Sequence, residues 1–430
     1  MSEIIVKPLK KMRGAIEVPG DKSISHRALM LGALTDGSIV VENFLPGGDC
    51  LATLSCLRNM GVRVDEEGAT KIIVHGVGIH GLHPAQGELN CVRSGTTIRL
   101  LMGLMAGQSF DSILNGEEQL RRRPMNRVAE PLMKMGAAIQ TTDGRAPVRI
   151  RGQRLTGTDL ELKVASAQVK SAIILAGLYA EGVTTVHQPG PARDHTERML
   201  KAMGAPLEIE GNTVSIHAAY KLNAIPIHVP GDFSSAAFPM VAGAIVENAI
   251  IEISNIGLNH TRTGLLDVLL GMGADIAIQD RRIENGEEIG TIVIKNSSLK
   301  STTIDKDLVV RMIDEFPVFA VAATQASGTT IVRDARDLRV KETDRISVMV
   351  EELKKMGARI EETDDGFEIE GPTPLTGGLV SSHGDHRVAM ALTVAGLISS
   401  ADTVIQDGNC VGDSFPGFYE LMNKLGVQYG

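Results

Sequence analysis

Apolar and polar positions follow one order six times along this chain: an amphipathic run at helical spacing, a Met-Gly pair, then a short alternating stretch. The anchors are Met60-Gly61, Met135-Gly136, Met203-Gly204, Met272-Gly273, Met356-Gly357 and, with Leu in place of Met, Leu425-Gly426. The glycines fall 75, 68, 69, 84 and 69 residues apart, as expected of one structural unit used six times. Glu351-Glu352-Leu353-Lys354-Lys355-Met356-Gly357 shows the pattern: apolar residues at helical spacing, one charged face, and a Gly that tolerates a left-handed C-cap.

Between the anchors lies a second kind of helix, rich in Ala and Gly and nearly free of charge. It is predicted over Ala28 to Leu34, Thr96 to Gly107, Ala167 to Gly177, Ser234 to Val246, Pro317 to Ala326 and Val388 to Ser400. A helix apolar all round belongs inside, whereas the Met-Gly helices should expose their charged face. Each unit therefore supplies an inner helix, an outer helix and several short strands. Val18-Pro19-Gly20-Asp21-Lys22-Ser23 returns as Val229-Pro230-Gly231-Asp232-Phe233-Ser234, 211 residues on, so three units fill each half. Two similar domains follow, and 430 residues are too many for a single core.

Composition narrows the class. No apolar run reaches the roughly 18 residues of a membrane span, and Met1 to Gly14 lacks a signal-peptide core or a transit segment. The chain is expected in the cytoplasm, with no membrane partner. Cys50, Cys56, Cys91 and Cys410 show no CxxC spacing and suit a reducing compartment as inert buried thiols. Net charge is −9, from 43 basic and 52 acidic residues, so nucleic acid has no electrostatic footprint here. Any anion site must be local.

Local basic sites are present in number: Lys22-Ser23-Ile24-Ser25-His26-Arg27, Arg93-Ser94-Gly95-Thr96-Thr97-Ile98-Arg99, Arg121-Arg122-Arg123-Pro124, Ser166-Ala167-Gln168, Arg193-Asp194-His195-Thr196, Lys341-Glu342-Thr343-Asp344-Arg345 and Asp385-His386-Arg387. All read as helix starts, where unpaired N–H groups and the positive dipole end receive anions. Ser, Thr and Asp are ordinary N-caps and a lone cation there is usually a solvated charge. Cations are disfavoured by the dipole at that end, however, so their recurrence calls for an anionic ligand.

Other motifs carry less. Gly20-Asp21-Lys22-Ser23 is no P-loop, because Gly and Lys are not adjacent and no Gly-rich stretch precedes them. His383 with His386, and His80 with His83, lack the further ligands of a metal sphere, and there is no GxSxG or HExxH.

The stretches VPGDKSISHRAL, SGTTIRLLMGL, RRRPMNRV, SAQVKSAIILAGL, RDHTERML, VPGDFSSAAFP, MIDEFPVFAVAA, LRVKETDRI, HGDHRVAMAL and SFPGF, spread from residue 18 to residue 418, resemble the EPSP synthase (3-phosphoshikimate 1-carboxyvinyltransferase) family. The resemblance implies an α/β fold of two inside-out α/β barrel (prism) domains, each of three βαβαββ repeats with buried parallel helices. Residues 20–230 would form one domain and residues 1–19 with 231–430 the other, with the active site in the cleft between them. The reaction implied is transfer of the enolpyruvyl group of phosphoenolpyruvate to the 5-hydroxyl of shikimate 3-phosphate, releasing phosphate, in the shikimate pathway. No cofactor and no metal are implied, and a monomer is expected.

Carried over residue by residue, the family pattern places shikimate 3-phosphate on Lys22, Ser23, Arg27, Ser166, Ala167, Gln168, Arg193, Asp314 and Lys341. Phosphoenolpyruvate falls to Lys22, Gly95, Arg123, Gln168, Arg345, His386 and Arg387, a site the resemblance also gives to glyphosate. Asp314 would be general base on the 5-hydroxyl, with Glu342 and Lys22 handling the proton at the methylene carbon. Such a Glu342 would have to be partly buried beside other carboxylate charge. The chain differs from many members in having Arg93 for Asn, Asp413 for a basic residue, and Ala167 for a second Ser. The sister family acting on UDP-N-acetylglucosamine has Lys-Asn where this chain has Lys22-Ser23, and a reactive Cys where the Arg123-Pro124 region has none. A non-catalytic repeat scaffold is the other class of reading, but such scaffolds stack open-ended without an acid and base at equivalent helix starts.

Overall fold

The computed structural model describes residues 3–430. Fourteen helices follow one another among these residues: α1 (Lys22–Ala33), α2 (Gly48–Asn59), α3 (Gly95–Ala106), α4 (Glu118–Arg121), α5 (Asn126–Lys134), α6 (Ala167–Gly177), α7 (His195–Ala202), α8 (Phe233–Ile245), α9 (Gly264–Gly271), α10 (Lys306–Arg311), α11 (Phe316–Thr324), α12 (Arg345–Lys355), α13 (His386–Leu397) and α14 (Phe418–Lys424). Six small sheets accompany them, five of four strands and one of three. The fold is mixed α/β.

All six Met-Gly pairs end helices, and all six end them in the same way. Gly61, Gly136, Gly204, Gly273, Gly357 and Gly426 have φ between +79° and +100°, where a Cβ would be strained. In each, the Gly N–H and the next N–H turn back on the last helical turn. At α2, Gly61 donates to Arg58 O at 3.1 Å and Val62 to Leu57 O at 3.1 Å; at α12, Gly357 donates to Lys354 O and Ala358 to Leu353 O. This is the Schellman arrangement, which satisfies carbonyls the helix leaves open. The Met or Leu before each Gly is buried, so the repeat is read as a stop signal and a core anchor together.

The second class of helix is buried as its composition dictates. Every residue of α8, α11 and α13 but one is shielded from solvent, and α3 is open only at Thr96. These helices start earlier than their apolar stretch alone predicts: α1 begins at Lys22 rather than Ala28, because the Asp21 side chain accepts the Ile24 N–H at 2.9 Å and caps a polar first turn. Four of the four-stranded sheets repeat one order, a parallel pair extended by two antiparallel strands, and the three-stranded sheet is a parallel pair extended by one. In one example, Asp159–Glu161 pairs parallel with Val183–His187, which pairs antiparallel with Thr213–His217 and that with Leu207–Glu210.

Contacts divide the chain into two units. One contains Gly20–Val229 with the turn Glu284–Glu287; the other contains the chain up to Pro19, Pro230–Ile283 and Glu288–Gly430. Strand pairing explains why the first residues belong with the last. Arg13–Glu17 lies parallel to Ile250–Ser254, and Glu3–Val6 lies antiparallel to Thr403–Gln406. Each unit has its own hydrophobic core. Cys50, Cys56 and Cys91 are buried in the first unit, while Cys410 is only half-buried. No helix among the described residues is long and apolar enough to cross a membrane.

Candidate active site

In the Gly20–Val229 unit the predicted residues converge on the N-terminal ends of α1, α3, α6 and α7. Lys22, first in α1, places Nζ 2.8 Å from Asp49 Oδ2 in the first turn of α2. Arg27, one turn further, is buried and engaged on three sides: Nε donates to Thr196 Oγ1 at 2.6 Å, Nη2 to Ser171 Oγ at 2.8 Å, and Nη1 to Ser23 O at 2.8 Å. Burial pushes its pKa down to about 10, against the opposing field of Glu197. It is still a cation at neutral pH, with α1 tied to α6 and α7.

Gln168 in the first turn of α6 is locked to α3, accepting from Arg99 Nη1 at 2.6 Å and donating to Thr96 Oγ1 at 3.1 Å. Ser166 and Ala167 open that helix, though Ser166 makes no side-chain cap. Gly95 opens α3 behind Ser94, whose Oγ accepts the Thr97 N–H at 3.1 Å. Gly95 faces Arg123: a methyl there would stand 2.5 Å from Arg123 Nη1 and 2.8 Å from its Cζ. Arg123 itself does not start a helix, as the sequence pattern suggested. It sits in the turn between α4 and α5, because Leu120 O takes its N–H and α5 begins only at Asn126. Arg193 precedes α7 in a loop held by buried Lys170, whose Nζ reaches Ala192 O at 3.1 Å and Glu197 Oε1 at 2.5 Å.

Buried His26 lies beneath this surface, with Nδ1 2.7 Å from Thr53 Oγ1. Burial, opposed by Asp49, lowers its pKa from 6.5 to about 3. Between those values the unfolded chain binds a proton that the folded chain refuses, so stability falls as pH falls from about 6.5 toward 3. Replacing His26 by Gln should reduce the slope of unfolding free energy against pH in that range by up to roughly 1.4 kcal/mol per unit, read by urea titration at pH 4.5–6.5. Equal slopes would contradict a neutral buried imidazole.

In the other unit the predicted residues surround one carboxylate. Asp314 Oδ1 lies 3.4 Å from Arg345 Nη1 and 3.9 Å from Lys341 Nζ, Oδ2 lies 3.8 Å from Arg387 Nη2, and Asp314 O accepts from Arg387 Nη1 at 3.3 Å. Arg345 is the hub. Its Nη2 donates to Glu342 Oε2 at 2.7 Å and its Nε to Asp385 Oδ2 at 2.8 Å, with the guanidinium only 2% exposed. Burial opposes that charge, but Asp385 and Glu342 outweigh it and hold Arg345 well above its ordinary pKa. Asp385 is likewise penalised by burial, yet Arg345 keeps it below the ordinary carboxylate range. Glu342 is mostly buried and shares Arg345 with that second carboxylate. Asp344 caps α12, Asp385 caps α13, and His386 and Arg387 are the buried first residues of α13.

Of the residues that support the cations, Asp49 carried no sequence signal, while Arg99, Lys170, Ser171, Thr196 and Glu197 stood in quoted stretches without a role of their own. Asp385 stood in a quoted motif without a role of its own. Glu351, Glu352 and His383 do come together, yet the Lys355 ammonium stands 2.9 Å from Glu351 and 2.8 Å from Glu352 among them.

Each unit presents helix starts with fixed cations, and in the second unit three of them ring a carboxylate, chemistry suited to small polyanionic ligands. The EPSP synthase (3-phosphoshikimate 1-carboxyvinyltransferase) family model matches residues 6–422, and the chain belongs to that family. It is 49% identical over 428 residues to the 3-phosphoshikimate 1-carboxyvinyltransferase of Desulforamulus reducens, covering 99% of this chain and 100% of the relative. With the Bacillus pumilus enzyme of the same name it shares 51% over 420 residues, 96% of this chain and 97% of the other. The crystal structure of EPSP synthase from Acinetobacter baumannii superposes with a TM-score of 0.88 at 46% identity, over 100% of this chain and 99% of that one.

Proposed function

We propose that this chain transfers the enolpyruvyl group of phosphoenolpyruvate to the 5-hydroxyl of shikimate 3-phosphate, and that side chains of both units serve that one reaction. The architecture is read as two inside-out three-repeat domains of residues 20–230 and of residues 1–19 with 231–430. The observation that carries the functional reading is the Asp314 cluster: a carboxylate able to take a proton, surrounded by Lys341, Arg345 and Arg387, which favour substrate anions beside it.

The two substrates together bring roughly −5 to −6 charges, if each phosphate counts about −1.5 to −2. Lys22, Ser23, Arg27, Ser166, Ala167, Gln168, Arg193 and Lys341 hold shikimate 3-phosphate, and Asp314 takes the proton of its 5-hydroxyl as the oxygen attacks. Lys22, Gly95, Arg123, Gln168, Arg345, His386 and Arg387 hold phosphoenolpyruvate, the planar Arg forks matching its oxygens. Glu342 and Lys22 deliver a proton to the methylene carbon and remove one as phosphate leaves. Phosphate release in the presence of both substrates, and none with UDP-N-acetylglucosamine in place of shikimate 3-phosphate, is the expected assay result. Release with the nucleotide sugar alone would assign the chain to the sister activity.

The closeness of Gly95 and Arg123 gives a sharper test. Overpacking costs roughly 1–3 kcal/mol, or about 5- to 150-fold in affinity. Gly95→Ala should therefore push the Arg123 guanidinium aside and raise the phosphoenolpyruvate KM, and weaken inhibition by the longer glyphosate by more, at least about tenfold. In an Arg123→Ala background the methyl has lost its neighbour, and the same change should alter KM by less than about twofold. Steady-state kinetics of the four proteins decides; an equal effect in both backgrounds would mean the methyl acts elsewhere.

A further inference from the structure

The repeated Val-Pro-Gly-Asp-X-Ser start ends in different chemistry in its two copies. At α1 the X position is Lys22, directed at an external anion in the reading above. At α8 it is Phe233, fully buried, and the anion is internal: Ser234 Oγ donates to the carboxylate of Glu315. Arg262 Nη2 joins the cluster, 2.8 Å from Asp232 Oδ1 and 2.8 Å from Ser234 Oγ. All four side chains are buried, Glu315 and Arg262 at 1% exposure. Asp232 is already engaged as the cap of α8, accepting the Ser234 and Ser235 N–H groups. Two carboxylates, one guanidinium and a helix start thus share one buried space. Burying an ion cluster costs several kcal/mol in desolvation, and packed apolar side chains often do as well for stability.

The position of Glu315 indicates what the cluster does. It directly follows Asp314, and its own N–H donates to Met312 O at 2.9 Å as α11 begins. The ion pairs of Asp314 with Arg345, Lys341 and Arg387 run from 3.4 to 3.9 Å, longer than the roughly 2.7–2.9 Å of a charge-assisted hydrogen bond. These pairs favour its charge, and the next residue in the chain, Glu315, has a shorter, fully buried hydrogen bond from Ser234. We propose that Glu315, clamped by Ser234 with Arg262 alongside, is a positioning residue for Asp314: it is the resident anion of the second helix start, and it sets the orientation of the peptide that carries the base. The proposal rests on Asp314 being that base.

The test is a pair of double-mutant cycles in the full-length chain. Glu315→Gln keeps shape but removes the charge, and Ser234→Ala removes the hydrogen bond while keeping Glu315 charged; the second variant carries the test if the first does not fold. Each should lower kcat about tenfold with the shikimate 3-phosphate KM within about threefold, and each should add less than about twofold once Asp314 is already Asn. Unchanged kcat in the singles would overturn the clamp, as would an undiminished loss in the Asp314→Asn background. A wild-type kcat for Asp314→Asn alone would overturn the base assignment and the clamp with it, an outcome distinct from the other two.

Discussion

Asp314→Asn lowers kcat by roughly 10²-fold or more while shikimate 3-phosphate binds within a few-fold of wild type, because general-base catalysis is worth about 10²–10⁴ and the amide keeps the shape. Neighbouring charge makes the split cleaner. Lys341, Arg345 and Arg387 all lie within 4 Å of the Asp314 carboxylate, so removing its charge leaves these cations to the substrate and should not weaken anion binding. Arg123→Ala should show the opposite pattern, acting mainly on phosphoenolpyruvate KM through loss of a charge-assisted contact worth roughly 1.5–3 kcal/mol. The same kinetic defect in both variants would contradict this division of roles.

Arg345→Gln destabilises its unit by roughly 3–5 kcal/mol, the usual result of removing one partner of a buried ion pair. Asp385 is fully buried and Arg345 is the cation that holds it charged. A Gln leaves that carboxylate without its principal counter-charge, His386 contributing less. Adding Asp385→Asn removes the stranded charge while an Asn can still cap α13, so the double variant should recover a large part of the loss. Denaturant unfolding of the two proteins measures this. A single variant as stable as wild type would mean that Arg345 is held for substrate alone. The pH dependence follows the same pair: with Asp385 lowered in the folded state, its contribution is present above the unfolded value of about 3.9 and is lost as pH falls through the lower folded value.

Six Met-Gly stops were legible because a Schellman end has a local requirement, a residue at positive φ after a buried apolar one, and local requirements leave local traces. The buried helices were legible from their lack of charge. Their first turns lie outside the apolar stretch and were legible as basic helix starts, Lys22, Ser23 and Arg27 among them; what the sequence did not show is that the Asp21 side chain caps that turn. The cations of the site stood out because positive charge is out of place at a helix start. Arg123 was misplaced for the same reason: a basic run followed by Pro124 reads as a helix start, and only the Leu120 carbonyl shows it to be a turn. The supporting carboxylates and hydroxyls, Asp49, Glu197, Thr196 and Glu315, stayed hidden. Their roles depend on partners 27 to 169 residues away, as Lys22 with Asp49 and Arg27 with Thr196 show, and no local pattern records such pairings.

That both units serve one reaction is tested most directly by the dissociation constant of shikimate 3-phosphate for Arg193→Ala, altered in the Gly20–Val229 unit, and Lys341→Ala, altered in the other, measured by calorimetry. Each removes one charge-assisted contact worth roughly 1.5–3 kcal/mol, so both constants should rise about 10- to 150-fold. A rise for Arg193→Ala with wild-type affinity for Lys341→Ala would show that one unit holds the ligand by itself.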